Sequence, residues 1–496
     1  MNKLFLDTRV LDKNIRETCG LSEEIMMENA AGAIEKVVAE HTLTNVRYIS
    51  RPTVLVLCGS GNNGADGYAL ARRLISHKLS VVCCQVSQPK SELCKIQKLR
   101  AEKIGVRFID IYELDSFLEE KSFDLEVIVD CIFGSGLKLP LSPEAAAVIE
   151  SVNKNDAYKV ACDVPSGLDE NGNGNTIFFA DETVTMGALK YSLYSDIAKD
   201  FVGKISVADL GVSRDAFETE TFLPYSFVLE YSDAVLPFRK KQNVNKGSFG
   251  HAAIISGEKA GAAQIASFAA LNFGAGLVTM VGENKSSSAE IMSSEKIPEN
   301  TSAIAIGMGL GRNTEYAEKY ILQALNFAAE KRIKFILDAD ICYSTKVSDF
   351  LEKFECVITP HPKEFSALLK SCGIVDVTVN EILKEKIKFA KEFCEKYKKA
   401  VLLLKGANTM IASWSDKNSR VEFYINPIGT AALAKGGSGD VLAGLISALL
   451  AQGYNTINAA VTASLVHGKL STEFKNNFSL SPLKLISRLD EVVARP

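Results

Sequence analysis

The stretch Gly429–Gly453, GTAALAKGGSGDVLAGLISALLAQG, determines how the second half of this chain folds. Four glycines and one acid, Asp440, precede a run whose apolar residues recur at the spacing i, i+3, i+4 and i+7, which is typical of a helix that packs on a sheet. These apolar residues are Val441, Leu442, Leu445, Ile446, Leu449 and Leu450. The sequence therefore predicts a glycine turn followed by a buried helix.

A glycine turn at a helix start also predicts a kind of chemistry. Backbone N–H groups point outward there, and the helix dipole favours negative charge, so the turn suits a phosphate group. A carboxylate at this turn is repelled by bound phosphate. It is nevertheless well placed to take a proton from a substrate hydroxyl that lies beside that phosphate. We interpret Asp440 as that base. The alternative is an acid that only stabilises the helix start, and such an acid needs no glycine run.

Outward from this stretch, short β-branched runs alternate with helical patterns along the whole chain. They include TVLVLC, EVIVD and YKVACDV in the first half, and HAAIIS, SAIAIG, KFILDAD and AVLLLKG in the second. This alternation is typical of α/β proteins with buried parallel strands. A proline and a basic polar run interrupt it in EYSDAVLPFRKKQNVNKGSFG. We therefore predict two domains, residues 1–224 and 225–496, the first a Rossmann-like three-layer α/β/α domain.

Composition excludes several classes of protein. The net charge is −4 with scattered lysines and arginines, so we expect no nucleic-acid partner. No apolar run approaches the roughly 20 residues of a membrane span, so we expect no membrane partner. The 11 cysteines form no C-x-x-C pair, and the five histidines are not at zinc-ligand spacing. Reduced thiols in the cytoplasm fit this pattern best.

In the first half, the informative motif is VLVLCGSGNNGADGYALARRL. Gly59, Gly61 and Gly64 match the dinucleotide-binding pattern G-x-G-x-x-G between a strand and a helix. That pattern also requires an acid about 20 residues later to hold a ribose, and the next strand, VVCCQVSQ, has none. The distinctive part is the polar run from Asn62 to Asp66, on a turn suited to phosphate. The alternative is a tight loop without a ligand.

Two more strand ends carry acids. VIVDCIFGSGLKLP ends a strand at Asp130, and VACDVPSGLDENG ends one at Asp163. Ligands of open α/β sheets bind beyond the carboxyl ends of strands, so these loops and the Asn62–Asp66 loop are expected to converge on one crevice. Either acid alone could be a helix cap or a turn residue.

MENAAGAI, GSGNNGADGYALARRL, VDCIFGSGLKLP and DVPSGLD resemble the epimerase domain of NAD(P)H-hydrate repair enzymes over about residues 1–220. The resemblance implies a potassium site made by Asn63, Asp130 and Ser166, with Asp130 also catalytic. It implies that the substrate is held by Asn62, Asn63, Gly64, Ala65 and Asp66, by Gly134, Ser135, Gly136, Leu137, Lys138, Leu139 and Pro140, and by Asp163. Ala65 stands where this family often has glycine. Lys138 either meets substrate phosphate or assists proton movement, and the alternative is a solvated loop lysine.

KGSFGHAAIISG, AIGMGLGR, ILDAD, ITPHPKEFSALL, LLLKGANTMI and AKGGSGDVLAGLISALLAQG are similar to the ADP- or ATP-dependent dehydratase domain of the same enzymes, which is ribokinase-like. The resemblance covers about residues 230–490. It implies that Ala262, Gly309, His361 and Asp440 face the hydrate, and that Lys405, Gly406, Ala407, Asn408, Thr409 and Gly439 bind the nucleotide. SGEKAGAA is shorter than the loop that this family usually has after the strand HAAIIS. GTAALAKGG stands where the family has a form with Asn-Pro-Gly in the middle. His361 could instead be a polar cap and Lys405 an edge lysine.

The whole chain thus resembles a bifunctional NAD(P)H-hydrate repair enzyme. Such an enzyme interconverts the R and S hydrates of NADH and NADPH, and it then dehydrates the S hydrate with ADP, or ATP, as phosphoryl donor. We expect K⁺ in the epimerase half, Mg²⁺ on the nucleotide phosphates, ADP as co-substrate and a homo-oligomer. The alternatives are a ribokinase-like small-molecule kinase and a first half that only binds a nucleotide-like ligand.

Overall fold

The computed structural model describes residues 1–44, 51–121, 124–219, 221–312 and 314–492. The chain divides into two compact units, Asn2–Ser226 and Phe227–Pro496 with Met1. This division lies two residues after the predicted domain boundary. In the described residues, no helix has the length and apolar character that a membrane span requires.

Between Thr53 and Cys162 the first unit alternates strands and helices, as the sequence pattern predicts. Its strands are β1 Asn2–Leu4, β2 Thr53–Cys58, β3 Ser80–Gln85, β4 Arg107–Asp110, β5 Leu125–Cys131, β6 Tyr158–Cys162, β7 Glu182–Met186 and β8 Lys204–Ala208. Its helices are α1 Arg9–Cys19, α2 Glu23–Thr44, α3 Asn62–Leu74, α4 Glu92–Lys103, α5 Leu114–Glu120, α6 Pro143–Asn153 and α7 Arg214–Phe217. Short 3₁₀ turns occupy Ile75–His77, Tyr191–Tyr194 and Ala198–Asp200.

Seven of these strands form one parallel sheet in the order β4-β3-β2-β5-β6-β7-β8. One hydrophobic core joins a face of this sheet to helices α1 to α4, and a second joins the other face to α5 and α6. The predicted three-layer α/β/α fold is therefore confirmed. The chain reverses its direction of sheet growth between β2 and β5, and ligands of such sheets bind at this reversal.

The second unit is also α/β. Its strands are β9 Ser226–Val228, β10 His251–Ile255, β11 Leu277–Val281, β12 Met292–Ser294, β13 Ala303–Ile306, β14 Lys334–Leu337, β15 Cys356–Ile358, β16 Ala400–Leu404, β17 Thr409–Ser415 and β18 Arg420–Asn426. Its helices are α8 Ala260–Asn272, α9 Glu315–Ala328, α10 Val347–Lys353, α11 Pro362–Ser371, α12 Val379–Lys384, α13 Lys386–Lys396, α14 Ser438–Ala451, α15 Thr456–Thr472, α16 Pro482–Ile486 and α17 Leu489–Val492. Short 3₁₀ turns occupy Tyr231–Asp233, Lys246–Phe249, Ala339–Tyr343 and Ala431–Leu433.

The strands of the second unit neighbour each other in the order β9-β18-β17-β16-β15-β14-β13-β10-β11-β12. The run from β16 to β12 is parallel, whereas β17 is antiparallel to both of its neighbours. Parallel strands place their carboxyl ends along one edge, where the loops of a binding site gather.

The helix predicted in the opening stretch is confirmed as α14. It begins after Gly437, whose φ of 87° lies in the left-handed region that favours glycine. All six predicted apolar residues of α14 are buried. The helix packs closely on α8, because a side-chain carbon at Gly444 would lie only 2.3 Å from the carbonyl oxygen of Ala266. Local sequence and tertiary packing therefore specify the same helix.

All eleven cysteines are free thiols, and only Cys19, at the end of α1, is exposed. Three of the buried thiols, Cys58, Cys131 and Cys162, belong to the adjacent strands β2, β5 and β6. Burial raises the pKa of each of these three thiols, although hydrogen bonding between Cys131 and Cys162 is the larger cause for Cys162. They serve as small apolar side chains of the core.

Candidate functional sites

The glycine loop before α3 is held by contacts between backbone atoms. A side-chain carbon at Gly59 would lie 1.9 Å from the carbonyl oxygen of Ile132, and one at Gly64 would lie 2.0 Å from that of Gly59. Gly61, which precedes the helix, has open space around it. The first turn of α3 leaves N–H groups without partners inside the helix, so the loop presents donors at the carboxyl edge of the sheet.

Asp130, at the end of β5, connects two loops of this edge. Its carboxylate is fully buried and accepts hydrogen bonds from the Ser166 hydroxyl at 2.7 Å, the Ser166 N–H at 2.7 Å and the Ile132 N–H at 3.1 Å. Burial raises the pKa of Asp130 to about 6, against the opposing effect of these hydrogen bonds. The predicted partners Asp130 and Ser166 thus lie together.

Asp163, at the end of β6, forms a buried ion pair that the sequence analysis did not predict. The ammonium nitrogen of Lys190 lies 2.7 Å from its Oδ1, and the Lys190 side chain is almost completely buried. The Ser135 N–H donates to Oδ2 at 3.0 Å. Burial favours a higher pKa for Asp163, but Lys190 outweighs it and the pKa is lower than usual. Asp163 therefore remains ionised beside the loop 134–140.

Gly134 shows that the predicted loops converge. A side-chain carbon at Gly134 would lie 2.9 Å from Oδ2 of Asp163 and 3.5 Å from Oδ1 of Asn63. Three predicted substrate-binding segments therefore lie around one position. Further along this loop, Lys138, Leu139 and Pro140 are exposed to solvent.

Two more carboxyl groups belong to this site. Burial, together with the charge of Asp163 and then that of Asp12, raises the pKa of Asp66 well above its usual value. Burial also raises the pKa of Asp12 to about 6, and Lys190 opposes that effect. Sequence reasoning missed Asp12 and Lys190. The sequence does mark Lys190 in one way, because it is the single charged residue of GALKYSLY.

Backbone pairing brings the N-terminal segment to Lys190. The Phe5 N–H donates to the carbonyl of Leu189 at 3.0 Å, and the Tyr191 N–H donates to the carbonyl of Phe5 at 2.9 Å. Residues just after Phe5 are therefore near the buried lysine. This pairing explains why charges on the segment that leads into α1 affect the acids of the site.

In the second unit, Lys405 follows β16 and lies beside the glycine turn of α14. A side-chain carbon at Gly439 would lie 3.5 Å from its ammonium nitrogen. That nitrogen is 2.9 Å from Oδ1 of the buried Asp338 and 3.6 Å from Oε2 of Glu364. Burial alone would lower the pKa of Lys405, but the two carboxylates raise it to about 12. The predicted nucleotide-binding residues Lys405 and Gly439 are therefore neighbours.

Asp440 is the third residue of α14, one position after Gly439. Burial and then the charge of Asp338 raise its pKa to about 6, with Lys405 opposing them. A carboxylate with this pKa is ionised at neutral pH and still accepts protons readily, which is what a general base requires. Asp338 was missed as a site residue although ILDAD was noted as a motif, because its partner Lys405 is 67 residues away.

His361 caps α11. Its Nδ1 accepts hydrogen bonds from the N–H groups of Lys363 at 3.1 Å and Glu364 at 3.2 Å, while Oε2 of Glu364 accepts from the His361 N–H at 2.8 Å. A nitrogen that accepts two N–H groups carries no proton, so the hydrogen of the neutral ring is on Nε2. Nε2 lies 3.2 Å from Oε1 of Glu364. The cap and the predicted contact with the hydrate are compatible, since half of the ring is exposed.

Two other predicted residues, Ala262 and Gly309, contact each other. Gly309 has φ 58°, and a side-chain carbon there would lie 3.3 Å from Cβ of Ala262 and 2.7 Å from the Lys259 carbonyl oxygen. Residues 405–408 form the turn between the paired strands β16 and β17, Thr409 begins β17, and Asn408 in the turn is buried. Within the described ranges, no group of three or more His, Cys, Asp and Glu side chains has the arrangement of a metal site.

Comparisons with known proteins agree over both halves. Residues 252–491 match the family model described as NAD(P)H-hydrate dehydratase, and residues 23–192 match the one described as YjeF-related protein N-terminus. The bifunctional NAD(P)H-hydrate repair enzyme Nnr of Helicobacter pylori is 40% identical over 99% of this chain and 100% of its own. Those of Coxiella burnetii and Escherichia coli are 31% and 30% identical, over 90% and 84% of this chain and 90% and 79% of their own.

Among solved structures, the ADP/ATP-dependent NAD(P)H-hydrate dehydratase from Bacillus subtilis is 27% identical, covers 54% of this chain and 98% of its own, and gives a TM-score of 0.45.

Proposed function

The chain belongs to the bifunctional NAD(P)H-hydrate repair enzymes, and we propose that residues 1–224 carry the epimerase and residues 225–496 the dehydratase. The enzyme repairs hydrated NADH and NADPH: it interconverts their R and S hydrates and dehydrates the S hydrate. The free cysteines support the cytoplasm as its location. We also propose that the protein forms a homo-oligomer.

The chemistry of the hydrate defines what each site must do. A dihydronicotinamide ring is an enamine, so water adds its proton to the carbon once removed from nitrogen and its hydroxyl to the carbon bonded to nitrogen. Breaking that C–O bond leaves a cation that the nitrogen stabilises. Return of water to either face interconverts R and S, whereas loss of the proton from the adjacent carbon regenerates the reduced cofactor. Both reactions therefore begin at the same bond.

For dehydration, we propose that Asp440 takes the proton of the ring hydroxyl as its oxygen attacks the terminal phosphoryl group of the nucleotide. The phosphorylated oxygen then leaves as phosphate and the ring proton passes to water, so the hydrate and ADP give the reduced cofactor, AMP, phosphate and a proton. The observation that carries this proposal is the position of Asp440, with its pKa near 6, next to Gly439 and Lys405. Lys405 and the first N–H groups of α14 would hold the phosphates.

The donor set at this site fits magnesium only as part of a metal–nucleotide complex. Asp338 is already paired with Lys405, and the described side chains form no cluster of three metal-ligating groups. Mg²⁺ usually keeps several waters and binds through substrate phosphates, so it would arrive on the nucleotide that Lys405 and the first N–H groups of α14 hold, and Asp440 stays available as the base. When bound, it would neutralise charge on the phosphates. We propose ADP as the donor, as the sequence predicts.

For epimerisation, we propose that Asp66 and Asp163 are the acid and the base. Burial keeps Asp66 protonated, so it can give a proton to the departing hydroxyl, whereas Lys190 keeps Asp163 ionised, so it can accept a proton from returning water. Two carboxyl groups whose surroundings separate their pKa values commonly divide the roles of acid and base in this way.

The residues implied for potassium also fit that ion. The buried Asp130 carboxylate receives hydrogen bonds only from neutral groups, and no ion pair to it occurs in the described part of the chain. Carboxylate, hydroxyl and amide oxygens from Asp130, Ser166 and Asn63 are the ligands that hard cations prefer. A bound K⁺ would offset the buried charge. The catalytic role of Asp130 stays a prediction, and its contacts support action through this ion.

A single assay tests the proposed function. The purified chain is incubated with mixed R and S hydrates of NADH or NADPH, with and without ADP and Mg²⁺, and the absorbance of the reduced nicotinamide is followed. We expect both hydrates to be consumed with ADP and neither to be dehydrated without it. Consumption of only half of the mixture would contradict the epimerase. Phosphorylation of an alcohol without release of reduced cofactor would indicate the alternative small-molecule kinase.

A further inference from the structure

Helix α15 presents a buried polar face to the segment 427–437, which we call the anion loop because it leads into the turn at Gly439. Ser464, His467, Gly468 and Ser471 occupy positions i, i+3, i+4 and i+7 of this helix, so they share one face. The three polar side chains are almost fully buried. Leucines elsewhere on α15 supply its core packing, so a polar face here needs another explanation.

Ser464, Gly468 and Ser471 of this face hold the start of the anion loop. The side-chain amide of Asn426 donates to the carbonyl and the hydroxyl oxygens of Ser464, both at 2.9 Å. The Thr430 N–H donates to the Ser471 hydroxyl at 3.0 Å. Gly468 lies so close to the loop that a side-chain carbon there would be 2.2 Å from the Ile428 carbonyl oxygen. These contacts fix residues 426–430 on the helix.

His467, on the same face, contacts the residue that follows the anion loop. Nε2 of His467 lies 3.1 Å from the hydroxyl oxygen of Ser438, the first residue of α14. Ser438 is followed directly by Gly439, which lies beside Lys405, and by Asp440. Rotation of Ser438 would therefore redirect the Gly439 N–H and the Asp440 carboxylate together.

We propose that His467 is a positioning residue for the dehydratase: through Ser438 it fixes the orientation of the first turn of α14 toward the nucleotide. The proposal rests on the proposed function, because it assigns a role within the same site. Burial lowers the pKa of His467 to about 4, so the ring is neutral at physiological pH and adds no charge to the phosphate site. Its contribution is geometric, and a displacement of about 1 Å at such a site can cost 10²-fold in rate.

Four variants test this role. His467→Leu fills the space without the hydrogen bond, His467→Gln restores a polar group at a similar reach, and Ser438→Ala removes the same bond from the other side. The matched control is His251→Leu, because His251 is also buried and its Nε2 lies 2.7 Å from the Thr279 hydroxyl, but it begins β10 at the opposite, amino edge of the sheet.

The readout that separates positioning from mere stability is the KM for ADP. A variant that only folds less completely lowers the apparent kcat and leaves KM unchanged. We expect His467→Leu and Ser438→Ala to raise the KM for ADP by about tenfold and to lower kcat of dehydration by about 10- to 100-fold. His467→Gln should return both within about threefold of the wild type, and His251→Leu should leave KM unchanged.

An unchanged KM in folded His467→Leu and Ser438→Ala would overturn the proposal, as would an equal rise in the His251→Leu control. If His467→Leu does not fold, Ser438→Ala decides alone. Failure of the wild type to release reduced cofactor would contradict the proposed function instead. In that case the affinity for ADP, measured by calorimetry in the same variants, still decides whether His467 fixes the site.

Discussion

The two glycine loops at helix starts look alike in sequence but differ in what surrounds them. Before α3, Gly59 and Gly64 are required because neighbouring backbone atoms leave no space for a side chain. Before α14, Gly436 has open space, and the nearest atom to a side-chain carbon at Gly439 would be the Lys405 ammonium nitrogen at 3.5 Å. In the first loop, Gly59 and Gly64 serve packing, whereas in the second Gly436 and Gly439 leave access to a cation.

The lysines of the two sites differ in the same way. Lys190 is buried and lies 2.7 Å from Asp163, so its charge is used to keep a carboxylate ionised. Lys405 is also paired, with Asp338, but about a quarter of its side chain is exposed next to the glycine turn. One lysine therefore controls a proton acceptor, and the other remains available to phosphate.

The largest effect expected is on dehydration when the base is removed. Asp440→Asn keeps the size of the side chain, so ADP should bind within about threefold of normal while turnover falls by about 10² to 10⁴. Epimerisation should continue. The control is Asp349→Asn, which removes an acid of the same unit that makes a surface pair with Lys353. Near-normal turnover of Asp440→Asn would reduce Asp440 to a helix-start acid.

The ion pair of the first unit is tested by Lys190→Met. We expect the rate of epimerisation to fall by about 100-fold, and the free energy of unfolding to fall by about 3–5 kcal/mol, because Asp163 is left as a buried charge without its partner. Asp163→Asn in the same chain should recover part of that stability but none of the activity. Lys204→Met, which removes an exposed lysine, is the control. Dehydration of pure S hydrate should survive, and its loss would argue against separate sites.

Substitution of glycine sharpens the contrast between the loops. Gly439→Val should weaken ADP binding by at least about tenfold, or roughly 1.4 kcal/mol, with little change in thermal unfolding. Gly64→Ala should lower the temperature of thermal unfolding and leave ADP binding unchanged. Its side chain would meet the Gly59 carbonyl oxygen at 2.0 Å, and such overpacking costs about 1–3 kcal/mol. Calorimetry and thermal unfolding on both variants make the comparison. The same response in both would mean that the loops are not different after all.

The smallest effect expected is a pH dependence. A base works when it is deprotonated, and kcat/KM reports the free enzyme, so kcat/KM of dehydration should be half-maximal near pH 6 and fall about tenfold for each unit below, as Asp440 becomes protonated. The residual activity of Asp440→Asn should lack this limb. If Asp440→Asn shows the same fall in rate near pH 6, that fall belongs to another titrating group.

Local pattern was sufficient to predict α14, its six buried residues and the turn at Gly437, because helix spacing and glycine conformation depend on neighbours in sequence. Long-range pairing was not predictable in this way. Asp338 and Lys405 are 67 residues apart, and nothing next to either residue identifies the other. His361 shows a third case: the sequence alone could not distinguish a cap from a ligand, and the structure contains the cap.

Among the eleven free thiols, the exposure of Cys19 alone has a practical consequence. Buried thiols with raised pKa values react slowly with alkylating reagents, so a maleimide dye or spin label should attach at a single place without any cysteine being removed first. That place is the last residue of α1, the helix that carries Asp12. A fluorophore there would report substrate arriving in the first half while absorbance records the product of the second, in one cuvette and on an unmutated chain.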